Sequence, residues 1–188
     1  MLKSTLRKQS LQQRKALSED DFLALNQLLL AQFKTLNFDG VNAVHVFLPI
    51  VEKREPDTFL MINWLQQNHP QIHVVVPKAN FDDHSMSHHL FQKDDLKMNA
   101  YQIPEPQTTK PFDGKIDMVL VPLLAFDLRG YRVGYGKGFY DRFLSEIETV
   151  KVGVSLFDVL QEEISDVHDN DIRLDLCITP SGIIKIEI

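Results

Sequence analysis

A glycine-rich segment carrying two cations is the feature of this sequence best suited to chemistry. Four of the eight glycines fall within residues 130–138, and those after the first alternate with other residues. The alternating members are Gly134, Gly136 and Gly138. Glycine permits positive φ and close approach of the backbone to a ligand, and exposed N–H groups bind anions. Arg132 and Lys137 add positive charge suited to phosphate oxygens. Residues 132–141 therefore predict a phosphate-binding loop, with a plain structural turn as the alternative.

This loop differs from the two standard nucleotide motifs. A Walker A loop places Ser or Thr after Gly-Lys, whereas Gly138 follows Lys137. A dinucleotide fingerprint requires its third glycine where Phe139 stands. The predicted phosphate site therefore belongs to neither motif.

Charged residues elsewhere are candidates for the same site. Lys3 and Arg7 have i,i+4 spacing and share one face of a predicted helix, so they contact a ligand together or form a solvated basic face. Asp141 lies just inside the helix after the loop, and Asp171 precedes a strand. Two carboxylates with phosphate oxygens suit Mg²⁺. The alternatives are that Asp141 complements a helix dipole and that Asp171 caps a loop.

Hydrophobic periodicity predicts the elements that position these residues. Helices are predicted over 3–16, from the capping residue Ser18 onwards, from the capping residue Asp57 onwards, and over 141–147. Strands are predicted over 41–48, 72–76, 86–91, 116–121, 151–155, 174–179 and 183–188, with a proline-containing loop over 99–115. Alternation of strands and helices predicts an α/β fold: a single three-layer domain over residues 1–188, with a mostly parallel central sheet and helices on both faces. Ligands bind such sheets at the carboxyl ends of the strands.

Composition narrows the class of protein. The chain has 188 residues, 44% hydrophobic and 24% charged, as in an ordinary globular domain. Its net charge of −6 argues against nucleic-acid binding. The single cysteine, Cys177, excludes an intrachain disulfide, and no apolar run reaches the roughly 18–20 residues of a membrane span. We expect a soluble, cytoplasmic protein without membrane or nucleic-acid partners. Its oligomeric state, monomer or weak dimer, is left open.

The histidines do not form a predicted metal site. His84, His88 and His89 are loosely clustered, but strand alternation puts His88 and His89 on opposite faces. We expect these three to be surface residues, and Cys177 to be an inert core thiol.

The long glycine-rich motif resembles the signature of a known family. The matching stretches are Leu124–Asp127, Gly130 and Arg132–Arg142. Together they are similar to the signature of the 5-formyltetrahydrofolate cyclo-ligase family, also called 5,10-methenyltetrahydrofolate synthetases. Weaker matches follow in the family's order at Lys3–Arg7, Glu55–Thr58, Tyr101–Pro106 and Asp171–Asp175. The resemblance therefore extends over nearly the whole chain.

The resemblance implies an activity and a set of roles. The reaction is the ATP-dependent cyclisation of 5-formyltetrahydrofolate to 5,10-methenyltetrahydrofolate, with release of ADP and phosphate. ATP binding is implied for Lys3, Arg7, Arg132, Gly134, Tyr135, Gly136, Lys137, Gly138, Phe139 and Tyr140. Catalytic roles are implied for Arg132, Lys137 and Tyr140, and substrate binding for Glu55, Tyr101 and Tyr140. Mg²⁺ is the implied cofactor, with Asp141 and Asp171 as its ligands.

Different interpretations of single residues and of the whole chain stay open from sequence. Glu55 alone has the character of a charged loop residue, and aromatic residues such as Tyr101 and Tyr140 are more often core than ligand contacts. At the level of function, a sugar-phosphate isomerase or a CoA transferase on a similar scaffold would use the loop for a substrate phosphate. A non-catalytic nucleotide-binding protein would use the loop for a nucleotide without turnover.

Overall fold

The computed structural model describes residues 1–100 and 102–187. Within them lie four α-helices: α1 (Lys3–Ala16), α2 (Glu19–Phe33), α3 (Thr58–Asn68) and α4 (Phe139–Ser145). The predicted caps are confirmed. The Ser18 hydroxyl accepts a hydrogen bond from the Asp21 amide at 3.1 Å, and the Asp57 carboxylate accepts one from the Phe59 amide at 3.1 Å. Each cap satisfies an amide that would otherwise lack a partner at the start of its helix.

A mixed, mostly parallel sheet forms the centre of the molecule. The strands are β1 (Ala43–His45), β2 (His73–Ala79), β3 (Met86–Leu90), β4 (Leu96–Met98), β5 (Pro104–Pro106), β6 (Met118–Pro122), β7 (Ala125–Phe126), β8 (Arg132–Val133), β9 (Val150–Val154), β10 (Leu176–Thr179) and β11 (Gly182–Lys185). Seven of them form one sheet in the order β11-β10-β9-β6-β1-β2-β3. The central five are parallel, and the edge strands β3 and β11 run antiparallel. The predicted α/β fold is confirmed.

Two details of the predicted strands are wrong. The first strand is only three residues long rather than residues 41–48, because Pro49 has no N–H and the Ile50 amide donates to the Glu55 side chain. The second correction concerns residues 99–115, where Pro104–Pro106 pairs with Leu96–Met98 in a small separate ladder. A two-stranded edge ladder tolerates prolines because the outward side of each strand needs no donor.

Helices cover both faces of the sheet, as predicted. Alternate residues of β1 point to opposite sides, so that Val44 joins one core and Ala43 the other. Helices α2 and α3 cover the first face, through Leu29, Phe33, Met61, Ile62 and Leu65. Helix α4 covers the second face through Phe143 and Leu144. A fully buried side chain such as Phe33 contributes about 2 kcal/mol to stability relative to exposure.

The strand order brings two loops together at one edge of the sheet. From β1 the chain first adds β2 on one side, and later crosses to add β6 on the other side. The segments that follow β1 and β6, residues 46–57 and 123–131, therefore both start at the carboxyl ends of adjacent strands. Open α/β sheets bind ligands at such a position. Among the described residues, no helix combines the length and apolarity that crossing a bilayer requires.

Candidate active site

Residues 134–138, called the glycine loop below, connect β8 to α4. Gly136 and Gly138 have φ values of +86° and +72°, whereas Gly134 does not need a positive φ. A Cβ on Gly136 would lie 3.2 Å from the guanidinium Nη2 of Arg7. Glycine at this position therefore supplies both the backbone conformation and the room for a cation from α1.

Helix α1 turns its basic face to this loop. Arg7 Nε donates to the Gly134 carbonyl at 2.8 Å, and Lys3 Nζ forms an ion pair and hydrogen bond with Asp171. Lys3 and Arg7 thus share a face, as their spacing predicts, and that face packs against the rest of the protein. The alternative of a solvated basic face is excluded by these contacts.

Arg132 is buried and held by two groups. Its Nη2 donates to Asp141 Oδ1 at 2.8 Å, and its Nη1 donates to the Ile172 carbonyl. The Ile172 amide donates to the same Asp141 oxygen at 3.1 Å. The loop cation and the carboxylate predicted to bind magnesium are therefore direct partners of each other.

The second carboxylate, Asp171, lies next to Ile172 in the chain and receives two donors. These are Lys3 Nζ and the His168 amide, the latter at 2.7 Å. Burial by itself raises the pKa of Asp171, but the hydrogen bonds from Lys3 and His168 and their charges outweigh it, so that the pKa lies below its ordinary value. Asp171 is therefore ionised at neutral pH.

The two carboxylates can be tested for fit to a metal ion. No group of three or more His, Cys, Asp or Glu side chains within residues 1–100 and 102–187 forms a cluster that could hold a metal. A dedicated protein cage is thus absent from that part of the chain. Mg²⁺ needs none when it binds together with phosphates, because one or two carboxylates and water complete its octahedron. Asp141, which accepts the Ile172 amide, and Asp171, the residue before Ile172, are candidates for that second mode.

Glu55 is a buried carboxylate, and not the solvent-facing loop residue that its local sequence suggests. A short 3₁₀ turn over Val51–Lys53 and a left-handed Arg54 (φ 47°) fold the chain back. Glu55 Oε2 then accepts the Ile50 amide at 2.7 Å, and the residue is only 4% exposed. Burial raises the pKa of Glu55, and the Ile50 amide, the Tyr135 hydroxyl and two cations, Arg14 and Lys53, oppose that rise.

Tyr135 connects the glycine loop to Glu55. Its hydroxyl accepts a hydrogen bond from Arg14 Nη1 at 3.2 Å, and it interacts with the Glu55 carboxylate, whose pKa it lowers against the effect of burial. The Lys53 ammonium lies 4.2 Å from the centre of the Tyr135 ring. Arg14 was missed by the sequence analysis. The signal that could have found it is its position on α1, seven residues after Arg7 and therefore on the same face.

Tyr140 lies between the two groups of residues described so far. Its hydroxyl is buried and has no hydrogen-bond partner among the described residues. Burial raises its pKa, the charge of Glu55 raises it further, and the charge of Arg132 opposes this. The hydroxyl is thus under the influence of both Glu55 and Arg132, which places Tyr140 at the junction of the two groups.

The remaining predicted residues are less constrained. Lys137 is exposed at the tip of the loop, and its carbonyl accepts a hydrogen bond from Arg142 at 3.0 Å. Phe139 begins α4 and packs against Phe81, with ring centres 5.4 Å apart. Tyr101 lies outside the described residues.

The expectation of surface histidines is wrong for two of the three. His88 is half-buried and stacks on Phe143 with ring centres 4.0 Å apart, and His89 is buried with Nδ1 2.9 Å from the Lys110 carbonyl. Sequence analysis also missed His45, which is fully buried on β1 with its ring centre 5.1 Å from that of His88. The two strands are separated only by β2, so their side chains on the α4 face meet. Cys177 is buried, as expected.

The fold and the site together define a class of protein. A phosphate-type loop, several cations and a buried carboxylate meet at the carboxyl edge of a mostly parallel sheet, as in α/β proteins that bind small anionic ligands. A family model for the 5-formyltetrahydrofolate cyclo-ligase family matches residues 1–180. The chain therefore belongs to the 5-formyltetrahydrofolate cyclo-ligase family, which is a family of ligases.

Individual relatives agree with this assignment. A 5-formyltetrahydrofolate cyclo-ligase from Mycoplasma pneumoniae is 30% identical over 185 residues, which cover 95% of this chain and 98% of that protein. A probable 5-formyltetrahydrofolate cyclo-ligase from Schizosaccharomyces pombe is 30% identical over 60% of this chain, and the match spans 63% of that protein's length. The solved structure of 5,10-methenyltetrahydrofolate synthetase from Aquifex aeolicus superposes with a TM-score of 0.83 and 31% identity, covering 100% of this chain and 94% of that one.

Proposed function

We propose that this protein catalyses the ATP-dependent cyclisation of 5-formyltetrahydrofolate to 5,10-methenyltetrahydrofolate, with release of ADP and phosphate. Family membership and the names of the relatives support the substrate and product. One observation carries the proposal. The Tyr135 hydroxyl of the glycine loop interacts with the buried carboxylate of Glu55, which would set a phosphate site beside a site for a polar ring. A ligase that joins ATP chemistry to a second substrate requires this adjacency.

The chemistry explains why both substrates must meet. The oxygen of a formamide is a poor leaving group. Transfer of the γ-phosphoryl group of ATP to that oxygen releases ADP and makes the oxygen a good leaving group. The N10 nitrogen of the folate then attacks the activated carbon, phosphate departs, and the five-membered ring closes. Enzymes catalyse phosphoryl transfer chiefly by positioning and charge neutralisation.

The nucleotide half of the site, as we propose it, consists of the glycine loop and the cations around it. Arg132 and Lys137 provide charge on the loop, and Lys3 and Arg7 provide charge from α1. The backbone of residues 134–138 and the side chains of Tyr135, Phe139 and Tyr140 complete the ATP contacts. Lys3 and Arg132 already hold carboxylates, so phosphate oxygens would take over donors that these carboxylates now occupy.

Asp141 and Asp171 would hold a magnesium ion beside the phosphates. Bound Mg²⁺ neutralises phosphate charge and orients the transferred group. What the protein itself supplies is visible in the contacts. The Ile172 amide orients Asp141, and the His168 amide orients Asp171, so that both carboxylates are fixed in direction.

The folate half consists of Glu55, Tyr140 and Tyr101. The Glu55 carboxylate would accept hydrogen bonds from N–H groups of the pterin ring, and Tyr101 would stack on that ring. Tyr140 offers an unpartnered buried hydroxyl between Glu55 and Arg132, at the place where the formyl oxygen and the phosphoryl group would meet. A donor kept free of protein partners is available to the reacting oxygen.

A direct assay tests the proposal. Purified protein with Mg²⁺, ATP and 5-formyltetrahydrofolate should generate the near-ultraviolet absorbance of the methenyl product, and omission of ATP should abolish it. Absence of product at high concentrations of folded protein would refute the proposal. Binding of ATP without turnover would instead favour a nucleotide-binding protein. Folate-independent turnover of a sugar phosphate or a CoA ester would favour an isomerase or a CoA transferase.

A further inference from the structure

Arg14 is a buried cation for which the proposed nucleotide and folate contacts leave no role. It is 1% exposed and lies on the face of α1 that also carries Lys3 and Arg7. Its Nη1 donates to the Tyr135 hydroxyl at 3.2 Å and its Nη2 to the Leu123 carbonyl at 2.5 Å. It therefore ties α1 to the end of β6 and to the glycine loop.

A buried guanidinium is costly unless a negative charge compensates it. No ion pair among the described residues includes Arg14, and its Nε has no partner among them. The neighbouring buried anion is Glu55, which is reached through the shared Tyr135 hydroxyl. The Tyr135 hydroxyl accepts a hydrogen bond from Arg14 and interacts in turn with the Glu55 carboxylate, so that it links the buried cation to the buried anion. Polar links of this kind strengthen one another in the low effective dielectric of a protein interior.

We infer that Arg14 is a positioning residue, which fixes the Tyr135 hydroxyl and thereby keeps the Glu55 carboxylate correctly placed beside the glycine loop. This inference rests on the proposed function for its catalytic meaning, though its structural content stands apart from turnover. Arg14 touches neither substrate. It acts through Tyr135, so that the nucleotide half and the folate half share one buried support.

Other groups that face Glu55 do not replace Arg14. The Ile50 amide and Lys53 belong to the same segment as Glu55, Tyr135 belongs to the glycine loop, and Tyr140 belongs to α4. Lys53 is the other cation, but it is exposed, and solvent screens its charge. Tyr140 adds no positive charge. Arg14 is thus a buried cation whose charge opposes, in part, the rise in the pKa of Glu55 that burial causes.

The first measurement needs no activity. The pKa of Glu55 is read by carboxyl ¹³C NMR titration of the folded protein, with the resonance assigned by its loss in Glu55→Gln. In Arg14→Met the pKa of Glu55 should rise by about one unit, since a nearby opposite charge is removed. Tyr135→Phe should also raise it, because it removes the hydroxyl through which Arg14 acts, and Arg14→Lys should restore much of the original value. Lys15→Met, which removes an exposed charge from the next position of α1, is the matched control and should leave it unchanged.

The second measurement is the pH profile of turnover. For Arg14→Met, the acid limb of the pH profile of kcat/KM for 5-formyltetrahydrofolate should lie about one pH unit higher than for the natural protein. At a given pH within that limb, the activity of the variant should be about tenfold lower. A purely structural role would lower activity at every pH without moving the limb. If the natural protein shows no turnover, the proposed function fails, while the NMR titration still decides the role of Arg14.

An unchanged Glu55 pKa in folded Arg14→Met overturns the inference. If Arg14→Met does not fold, Tyr135→Phe decides, because it removes a single oxygen and leaves the packing intact. An unchanged Glu55 pKa in Tyr135→Phe then overturns the inference in the same way.

Discussion

The two halves of the site differ in how their charged groups are occupied. In the nucleotide half, Arg132 is bound to Asp141, Lys3 to Asp171, and Arg7 to the Gly134 carbonyl. In the proposed folate half, Glu55 accepts the Ile50 amide and interacts with the Tyr135 hydroxyl, while the Tyr140 hydroxyl has no partner among the described residues. One half has its binding groups engaged with each other, and the other presents a supported acceptor and a free donor.

Because of this difference, we expect phosphate binding to rearrange contacts in the proposed nucleotide half. Phosphate oxygens can be bound by Arg132 and Lys3 only if these cations share or exchange their carboxylate partners. The net free energy gained there is reduced by the contacts that are lost. Glu55 needs no such exchange, because its position and hydrogen bonds are already set. Substitutions should therefore cost more in the folate half than in the nucleotide half.

Replacement of Glu55 is expected to have the largest effect on activity. Glu55→Gln keeps the shape but removes the charge, and should lower kcat/KM for 5-formyltetrahydrofolate about a hundredfold, the equivalent of a charge-assisted hydrogen bond. The KM for ATP should change little. Steady-state kinetics with each substrate varied in turn measures both effects. Glu52→Gln, at an exposed neighbouring position, is the control. If Glu55→Gln lowers kcat/KM for ATP and for 5-formyltetrahydrofolate by similar factors, the two substrates do not have separate halves of the site.

Arg132 should show a smaller effect, confined to the nucleotide. Arg132→Ala should raise the KM for ATP about thirtyfold, somewhat less than the loss at Glu55 because Arg132 must partly give up Asp141 to bind phosphate. The fold should survive, as judged by circular dichroism. Lys151→Ala, which breaks the comparable pair with Asp175 at 2.9 Å, controls for loss of a paired cation. An unchanged KM for ATP would remove Arg132 from the phosphate site.

Asp141 is expected to have a smaller effect, on the Mg²⁺ requirement. If Asp141 binds Mg²⁺ in addition to its bond with Arg132, Asp141→Asn should raise the Mg²⁺ concentration for half-maximal activity about tenfold. Losses of metal-supporting groups have effects of this size. A Mg²⁺ titration of activity at fixed ATP measures this, with Asp175→Asn as the control. A changed KM for ATP with an unchanged Mg²⁺ requirement would show that Asp141 serves Arg132 alone.

Local signals in the sequence account for what could be predicted. Caps such as Ser18 and Asp57 act within three residues, and Gly136 and Gly138 lie where the backbone has a positive φ. Strand and helix periodicity then fixes which side chains share a face. From these the sheet, the covering helices and the loop with its cations follow.

Groups that act across long separations could not be predicted in this way. The contact of Arg14 with Tyr135 spans 121 positions of the chain, and its bond to Leu123 spans 109. Helical spacing places Arg14 on the face of Arg7, but only the contacts of Arg14 with Leu123 and Tyr135 show that this end of the face is buried. The same holds for His45, since an apolar strand gives no sign that its one polar residue meets His88.

Replacement of His45, which is buried on β1, is expected to have the smallest effect of these substitutions. Burial, and to a lesser degree the neighbouring His88, holds the pKa of His45 well below its ordinary value, so its ring is neutral in the folded protein. Unfolded chains take up a proton as pH falls through about 6.5. The stability associated with neutral His45 is therefore complete above that pH and declines as pH falls toward the lower pKa of the folded state. Between pH 7.5 and pH 6, the free energy of unfolding should therefore fall by about 1 kcal/mol less in His45→Phe than in the natural protein, as measured by urea denaturation. His73→Phe, at an exposed position of β2, should leave that loss unchanged, and an identical pH dependence in both variants would show that His45 does not carry it.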